Sequence, residues 1–151
     1  MSKIDENQVV FFHVGITVES LTEAKAFFVD LFECRLISER TLTGDYLGRV
    51  LDETQIKHAK IALLEMKQGP ILELVEYSVK ENKSVFPIRQ VGAVHLAHFV
   101  SNLDTFLELA RNFEVEPVGS LTEIIPAGPY EGNRIVFLRT NFNVILEIIE
   151  E

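Results

Sequence analysis

The sequence carries one short polar pattern twice, each time inside an otherwise apolar, strand-like run. Residues 13–21 read HVGITVESL and residues 95–103 read HLAHFVSNL, so His95 follows His13 by 82 positions (95 − 13 = 82). A second pattern also recurs, because ILELVE at 71–76 returns as ILEIIE at 145–150. Internal similarity of this kind constrains the chain to fold as two related modules. Each module then supplies one His and one Glu, and two such pairs that converge about a pseudo-twofold axis would bind a metal ion.

Hydrophobic patterning predicts the same order of elements in both modules. Apolar residues at helical spacing follow Ser20 and Asn102, which are suited to cap helices, and β-branched runs around them predict strands. The predicted strands are 9–18, 35–43, 58–66, 70–77, 92–100, 115–124, 132–139 and 143–150, the helices are 21–33 and 103–112, and 44–57 is a polar loop. We therefore expect an α+β fold: one domain over 1–151, made of two βαβββ modules at 9–78 and 92–150 that are joined by a linker at 79–91.

Strand parity decides which side chains share a face, since side chains alternate along a strand. His13 falls with small residues on one face of its strand, and the opposite face is apolar and should pack on the helix. Glu73 and Glu147 each have apolar neighbours on both faces, and burying an uncompensated carboxylate costs several kcal/mol. A divalent cation bound by two carboxylates and two neutral imidazoles offsets that cost. Glu76 and Glu150 fall on the opposite faces, where we expect solvated edge charges.

These motifs resemble those of the vicinal oxygen chelate superfamily, which includes glyoxalase I, methylmalonyl-CoA epimerase, extradiol dioxygenases and the fosfomycin and bleomycin resistance proteins. The resemblance rests on HVGITVESLTEAKAFFVDLF, ILELVEY, VHLAHFV and ILEIIE and spans about residues 9–150. It implies paired βαβββ modules whose strands form a metal-binding cup. The implied metal ligands are His13, Glu73, His95 and Glu147, and this set is closest to that of bacterial glyoxalase I. Residues 140–143 read TNFN where the family usually has Asp-Pro-Asp-Gly.

The four donor atoms limit which metal ion can bind and which reaction it can support. Nitrogen and oxygen donors without a thiolate suit Zn, Ni, Co, Mn or Fe(II), with open positions for substrate. The metal would act as a Lewis acid that stabilises an enediolate formed when a proton leaves the carbon alpha to a carbonyl. A carboxylate beside that carbon is the natural base. In glyoxalase-like enzymes a metal-bound Glu performs this role, and here Glu147 or Glu73 would do so.

Four functions remain open at this point. The first is a metal-dependent lyase or isomerase of glyoxalase type, acting on a small molecule such as a glutathione adduct. The second is an acyl-CoA epimerase, although epimerases of the family usually have Gln at the position of Glu73. The third is an extradiol-type Fe(II) dioxygenase, against which the fourth ligand counts. The fourth is a metal-free small-molecule binding or resistance protein, which would not need the four ligands.

Net charge, cysteine content and hydropathy indicate which partners and which cellular compartment to expect. A net charge of −9 argues against nucleic acid and anionic membranes as partners. Cys34 is the only cysteine, no apolar run approaches the ~20 residues of a membrane span, and the start of the chain lacks the apolar core of a signal peptide. We expect a cytoplasmic protein. We also expect a homodimer, since small members of the resembled family usually pair and sheet edges gain from being covered.

Other polar residues are weaker candidates. Parity places His98 on the helix-facing side as a core or rim residue, His58 begins a strand at the surface, and Cys34 ends a helix as a buried, inert thiol. Tyr46, Arg49 and Arg134 lie in or beside loops, either rimming a site for an anionic substrate or simply solvated.

Overall fold

A computed structural model of the chain describes residues 8–81 and 84–151. The described residues form two compact units, residues 8–81 and residues 84–151. Each unit is a mixed sheet with a helix against one face, in agreement with the α+β class that the sequence predicts. No helix in the described ranges is both long enough and apolar enough to cross a membrane.

The first unit is a four-stranded sheet with two helices. Its elements are β1 (His13–Thr17), α1 (Leu21–Phe32), β2 (Arg35–Thr43), α2 (Tyr46–Leu51), β3 (His58–Glu65) and β4 (Ile71–Tyr77). The strand order is β1-β4-β3-β2, with β1 parallel to β4 and the other pairs antiparallel.

The second unit repeats this topology. Its elements are β5 (His95–Val100), α3 (Leu103–Ala110) with a 3-10 turn (Arg111–Phe113), β6 (Glu116–Pro117), β7 (Glu123–Ile124), β8 (Arg134–Arg139) and β9 (Ile145–Glu150). The strand order is β5-β9-β8-β6, β7 also pairs with β8, and β5 is parallel to β9. The strand predicted at 115–124 is therefore two short pieces.

The sequence repeat is also a repeat of strand register. In the first unit, His13 lies opposite Ile71, and Glu73 lies opposite Gly15. In the second unit, His95 lies opposite Ile145 and Glu147 opposite Ala97. Since paired residues share a face of the sheet, each unit places its His and its Glu on one common face. We call this the ligand face of each sheet.

The opposite face of each sheet packs on a helix, as parity predicts. In the first unit the core contains Phe27 and Phe28 of α1 with Leu72 and Leu74 of β4, all 2% exposed or less. In the second unit the fully buried core residues include Leu103 of α3 with Leu146 and Ile148 of β9. Burial of each such side chain stabilises the fold by roughly 1.5–3 kcal/mol.

Both helices begin at the expected caps. The side-chain oxygen of Ser20 accepts from the Glu23 N–H at 3.3 Å, and that of Asn102 accepts from the Thr105 N–H at 2.8 Å. These bonds satisfy two of the amide groups that a helix start leaves without partners inside the helix.

Glu76 and Glu150 are not the solvated edge charges that the sequence suggested. The Leu21 N–H donates to Glu76 at 2.8 Å, and the Leu103 N–H donates to Glu150 at 3.3 Å, so each strand carboxylate binds the first turn of the packed helix. The Leu21 bond lowers the pKa of Glu76, and hydrogen bonds from Arg134 lower the pKa of Glu150. Parity placed both residues on the helix side correctly, but the helix terminus that they meet there is a tertiary feature.

The loop predicted at 44–57 contains a helix, α2. Its buried Leu47 packs with Ile56 against Ala59, Ile61 and Val75. Register pairs Ile61 with Val75, two residues from Glu73, so this cluster covers part of the ligand face of the first sheet. The helix is only six residues long and contains Gly48, and a segment of that kind forms because of its packing rather than its propensity.

Candidate functional site

The first candidate pair joins β1 to β4. Nε2 of His13 lies 3.5 Å from Oε1 of Glu73, and the two side chains are 27% and 19% exposed. Gly15, directly opposite Glu73, has open space where a Cβ would stand, so the carboxylate meets no side chain across the strand pair. The ring of Phe12 packs edge-on against His13 at 4.5 Å between centroids. Nδ1 of His13 is buried without a hydrogen-bond partner in the described residues, which leaves Nε2 as the nitrogen that faces Glu73.

The second pair joins β5 to β9 in the equivalent place. Nε2 of His95 lies 2.9 Å from Oε2 of Glu147, with exposed fractions of 46% and 19%. Phe137 of β8 lies opposite Glu147 and packs edge-on against His95 at 5.6 Å. This pair is therefore open to solvent on one side and bordered by an aromatic ring on the other.

The two pairs fit a divalent ion. Donors about 2.1 Å from one ion and at right angles to each other lie about 3 Å apart. The separations of 3.5 Å and 2.9 Å are close to that spacing, and each pair offers one imidazole nitrogen and one carboxylate oxygen. Such a set suits a borderline metal that accepts mixed nitrogen and oxygen ligands.

Neither pair is a complete site on its own. Within each unit, no third His, Cys, Asp or Glu among the described residues joins the pair to form a larger cluster. The assembly of His13, Glu73, His95 and Glu147 around one ion therefore stays a prediction.

His98 lies on the helix-facing side of β5, as parity predicts, and is not part of the ligand face. It pairs in register with the fully buried Ile148. Burial lowers the pKa of His98 to about 4, although a hydrogen bond with the Leu96 backbone opposes this shift. His98 is thus half-buried on the helix-facing side and neutral at physiological pH, which agrees with the core or rim position that parity predicts.

The remaining polar candidates are structural or at the surface. Arg134 donates to Glu150 at 3.0 Å and to both carboxylate oxygens of Asp104 at 3.1 Å, and these bonds raise its pKa. Its guanidinium is therefore engaged by carboxylates at the start of α3. Cys34 is buried, as expected, and this burial raises the pKa of its thiol to about 11, which disfavours the reactive thiolate. His58 is exposed at the start of β3, also as expected.

Reasoning from the sequence did not single out the aromatic residues around the second pair. Phe137 is found by parity once β8 is aligned with β9, because it lies opposite Glu147. Phe99, two residues beyond Ala97 on the same face, packs edge-on against Tyr130 at 5.3 Å. Tyr130 comes from a loop in which Gly128 and Gly132 have positive φ, and no sequence pattern gives the path of that loop.

Comparisons with known proteins agree with this fold. A sequence profile of the Glyoxalase/Bleomycin resistance protein/Dioxygenase superfamily matches residues 12–137. A 2-epi-5-epi-valiolone epimerase from Actinomyces sp is 32% identical over 146 residues, which cover 93% of this chain and 79% of that protein. A glyoxalase family protein from Bacillus cereus superposes with a TM-score of 0.74 at 20% identity, covering 99% of both chains. The fosfomycin resistance protein FosX from Listeria monocytogenes superposes with a TM-score of 0.57 at 14% identity, covering 94% of this chain and 91% of that one. The chain thus belongs to the glyoxalase/bleomycin resistance protein/dioxygenase superfamily.

Proposed function

We propose that this protein is a divalent-metal-dependent epimerase that inverts a carbon alpha to a carbonyl group. The observation that carries the proposal is the pairing of an imidazole with a carboxylate on the ligand face of each sheet, at 3.5 Å and 2.9 Å. The similarity to a protein named as an epimerase, over 93% of this chain, supports this reaction over the lyase reaction of glyoxalase I.

The premise of the proposal is that His13, Glu73, His95 and Glu147 together hold one ion. Zn, Ni, Co, Mn and Fe(II) all suit these donors. When bound, the ion supplies Lewis-acid polarisation of the substrate carbonyl oxygen, which makes the neighbouring C–H bond acidic.

The protein's own contribution is proton transfer. Inversion requires that a proton leave one face of the carbon and that a proton arrive on the opposite face. We assign the removal to the carboxylate of Glu147, which has one exposed side and the Phe137 ring across the strand pair. Glu73, its counterpart in the repeat, is the second carboxylate suited to deliver the proton. Positioned acid–base groups of this kind typically contribute 10²–10⁴-fold to a rate.

The test is exchange of the alpha proton with solvent deuterium. The metal-loaded protein should catalyse exchange and epimer formation in a panel of alpha-hydroxyketones, followed by proton NMR. Glu147→Gln should retain metal, because the amide oxygen still coordinates, but should lose roughly 10²-fold or more in exchange rate. Glu108→Gln, on the exposed side of α3, is the matched control and should behave as wild type.

Three other outcomes would change the assignment of the reaction or of its base. Preferential turnover of the hemithioacetal of methylglyoxal and glutathione would favour the lyase, which the glyoxalase-like Glu at position 73 motivates. Oxygen uptake with a catechol substrate would favour a dioxygenase. Full exchange activity in metal-loaded Glu147→Gln would show that Glu147 is not the base.

A further inference from the structure

A cleft of about 280 Å³ opens within the second unit, beside the strand that carries Phe137. Its volume lies near the lower end of the ~300–1,000 Å³ range of small-molecule sites. Its lining includes Ile88, Val118, Ser120, Glu123, Ile135 and Phe137.

The cleft adjoins the candidate site through Phe137. This residue lines the cleft, lies opposite Glu147 across the β8–β9 pair and packs edge-on against His95 at 5.6 Å. Ile135 is two residues away on the same strand and therefore on the same ligand face. A molecule whose reacting carbon lies beside Glu147 would thus have its remainder directed along Phe137 and Ile135 into this cleft.

The polar side chains of the cleft are hydrogen-bond acceptors, and one of them is negatively charged. Most of its lining is apolar, while Ser120 contributes a hydroxyl and Glu123 a carboxylate. Glu123 pairs in register with Ile135, so both side chains are on the ligand face. A carboxylate and a hydroxyl accept hydrogen bonds from substrate hydroxyl groups, and the carboxylate repels a phosphate or another carboxylate. The net charge of −9 adds to this repulsion over longer range.

We propose that this cleft is the specificity subsite of the enzyme, and that it takes the uncharged, hydroxylated part of a small hydroxyketone. Glu123 is its specificity-determining residue: it accepts hydrogen bonds from substrate hydroxyls and rejects anionic groups. The inference rests on the proposed epimerase function and narrows its substrate class. It replaces glutathione and coenzyme A adducts, which the resemblance to glyoxalase I and the acyl-CoA epimerases suggested, with neutral polyhydroxylated ketones.

The test is a binding comparison between ribulose and ribulose 5-phosphate, which differ covalently by the phosphate group. Each Kd is referred to the open-chain ketone, because only ribulose can close to a furanose. Saturation-transfer NMR titrations of the metal-loaded protein should give at least tenfold tighter binding of ribulose. Glu123→Gln should reduce the ratio of the two dissociation constants toward one. Glu123→Lys should invert this ratio by improving the binding of ribulose 5-phosphate. Both substitutions are at an exposed position, and Glu108→Gln on α3 is the control that should leave the ratio unchanged.

The outcomes separate this inference from the proposed function. Equal or tighter binding of the phosphate by wild type, no saturable binding of either sugar, or a ratio that Glu123→Lys does not change would overturn the subsite. If the phosphate were the preferred ligand and its alpha proton exchanged, the epimerase proposal would stand without the subsite. If ribulose bound through Glu123 but no proton exchanged with any hydroxyketone, the subsite would stand without the epimerase.

Discussion

Substitution of the two histidines of β5 should affect two different properties. We expect His98 to determine how stability falls at acid pH, and His95 to contribute to metal binding. Burial on the helix-facing side of β5 lowers the pKa of His98 from 6.5 to about 4, whereas His95 is on the ligand face, 2.9 Å from Glu147. Between pH 4 and 6.5 the unfolded chain binds a proton at His98 that the folded chain does not. The free energy of unfolding is therefore unaffected by this group above pH 6.5 and falls as the pH drops toward 4.

The magnitude follows from linkage between proton binding and folding. For these two pKa values, the free energy of unfolding should fall by about 2 kcal/mol between pH 8 and pH 5 because of His98 alone. His98→Gln, which does not titrate, should lack this component. The measurement is urea unfolding of wild type and His98→Gln at pH 8 and pH 5. The free energy of unfolding lost between the two pH values should be smaller in the variant by about 2 kcal/mol.

His95→Gln is the matched control on the same strand. It should weaken metal binding and leave the His98 component of acid sensitivity in place. If His98→Gln lost as much stability as wild type between pH 8 and pH 5, the burial of a neutral imidazole at position 98 would be the wrong explanation. If His98→Gln lost metal as severely as His95→Gln, the assignment of the two faces of β5 would be wrong.

Three further predictions test other parts of the structure. His13→Ala or His95→Ala should each lose bound metal, because each removes one of four proposed donors, and metal analysis after gel filtration would show it; unchanged stoichiometry in both would refute the ligand set. Gly48→Ala should cost roughly 1–3 kcal/mol in urea unfolding, since a Cβ there would lie 2.9 Å from the Glu53 carbonyl oxygen, whereas Gly15→Ala, with open space, should cost little; equal effects would contradict the packing of α2. Light scattering at micromolar concentrations should give the mass of a homodimer, and a monomer throughout would contradict the expected pairing.

The sequence predicted the elements whose patterns are local. The apolar faces of α1 and α3, their Ser20 and Asn102 caps, and the bounds of β2 follow from periodicity and capping alone. The repeated motifs also placed each His and Glu on one sheet face, and the registers of β1 with β4 and of β5 with β9 agree.

What the sequence missed depends on tertiary contacts. Helix α2 is short and contains a glycine, and it forms where Leu47 and Ile56 find an apolar surface on β3 and β4. The sequence indicated edge charges at Glu76 and Glu150 because strand alternation predicts the face of a side chain but not its partner. In the structure that partner is a backbone N–H at the start of a helix. The cleft with Glu123 depends on the short β7 strand and the loops around it, which have no periodic pattern to read.

The proposed function requires that the two His–Glu pairs share one divalent ion. The decisive experiment is anomalous scattering from crystals of the metal-loaded protein, with data collected at the absorption edge of the bound metal. We expect one ion per site, coordinated by Nε2 of His13 and His95 and by carboxylate oxygens of Glu73 and Glu147. An ion bound by other residues, or fully loaded protein in which the two pairs bind separate ions, would contradict it.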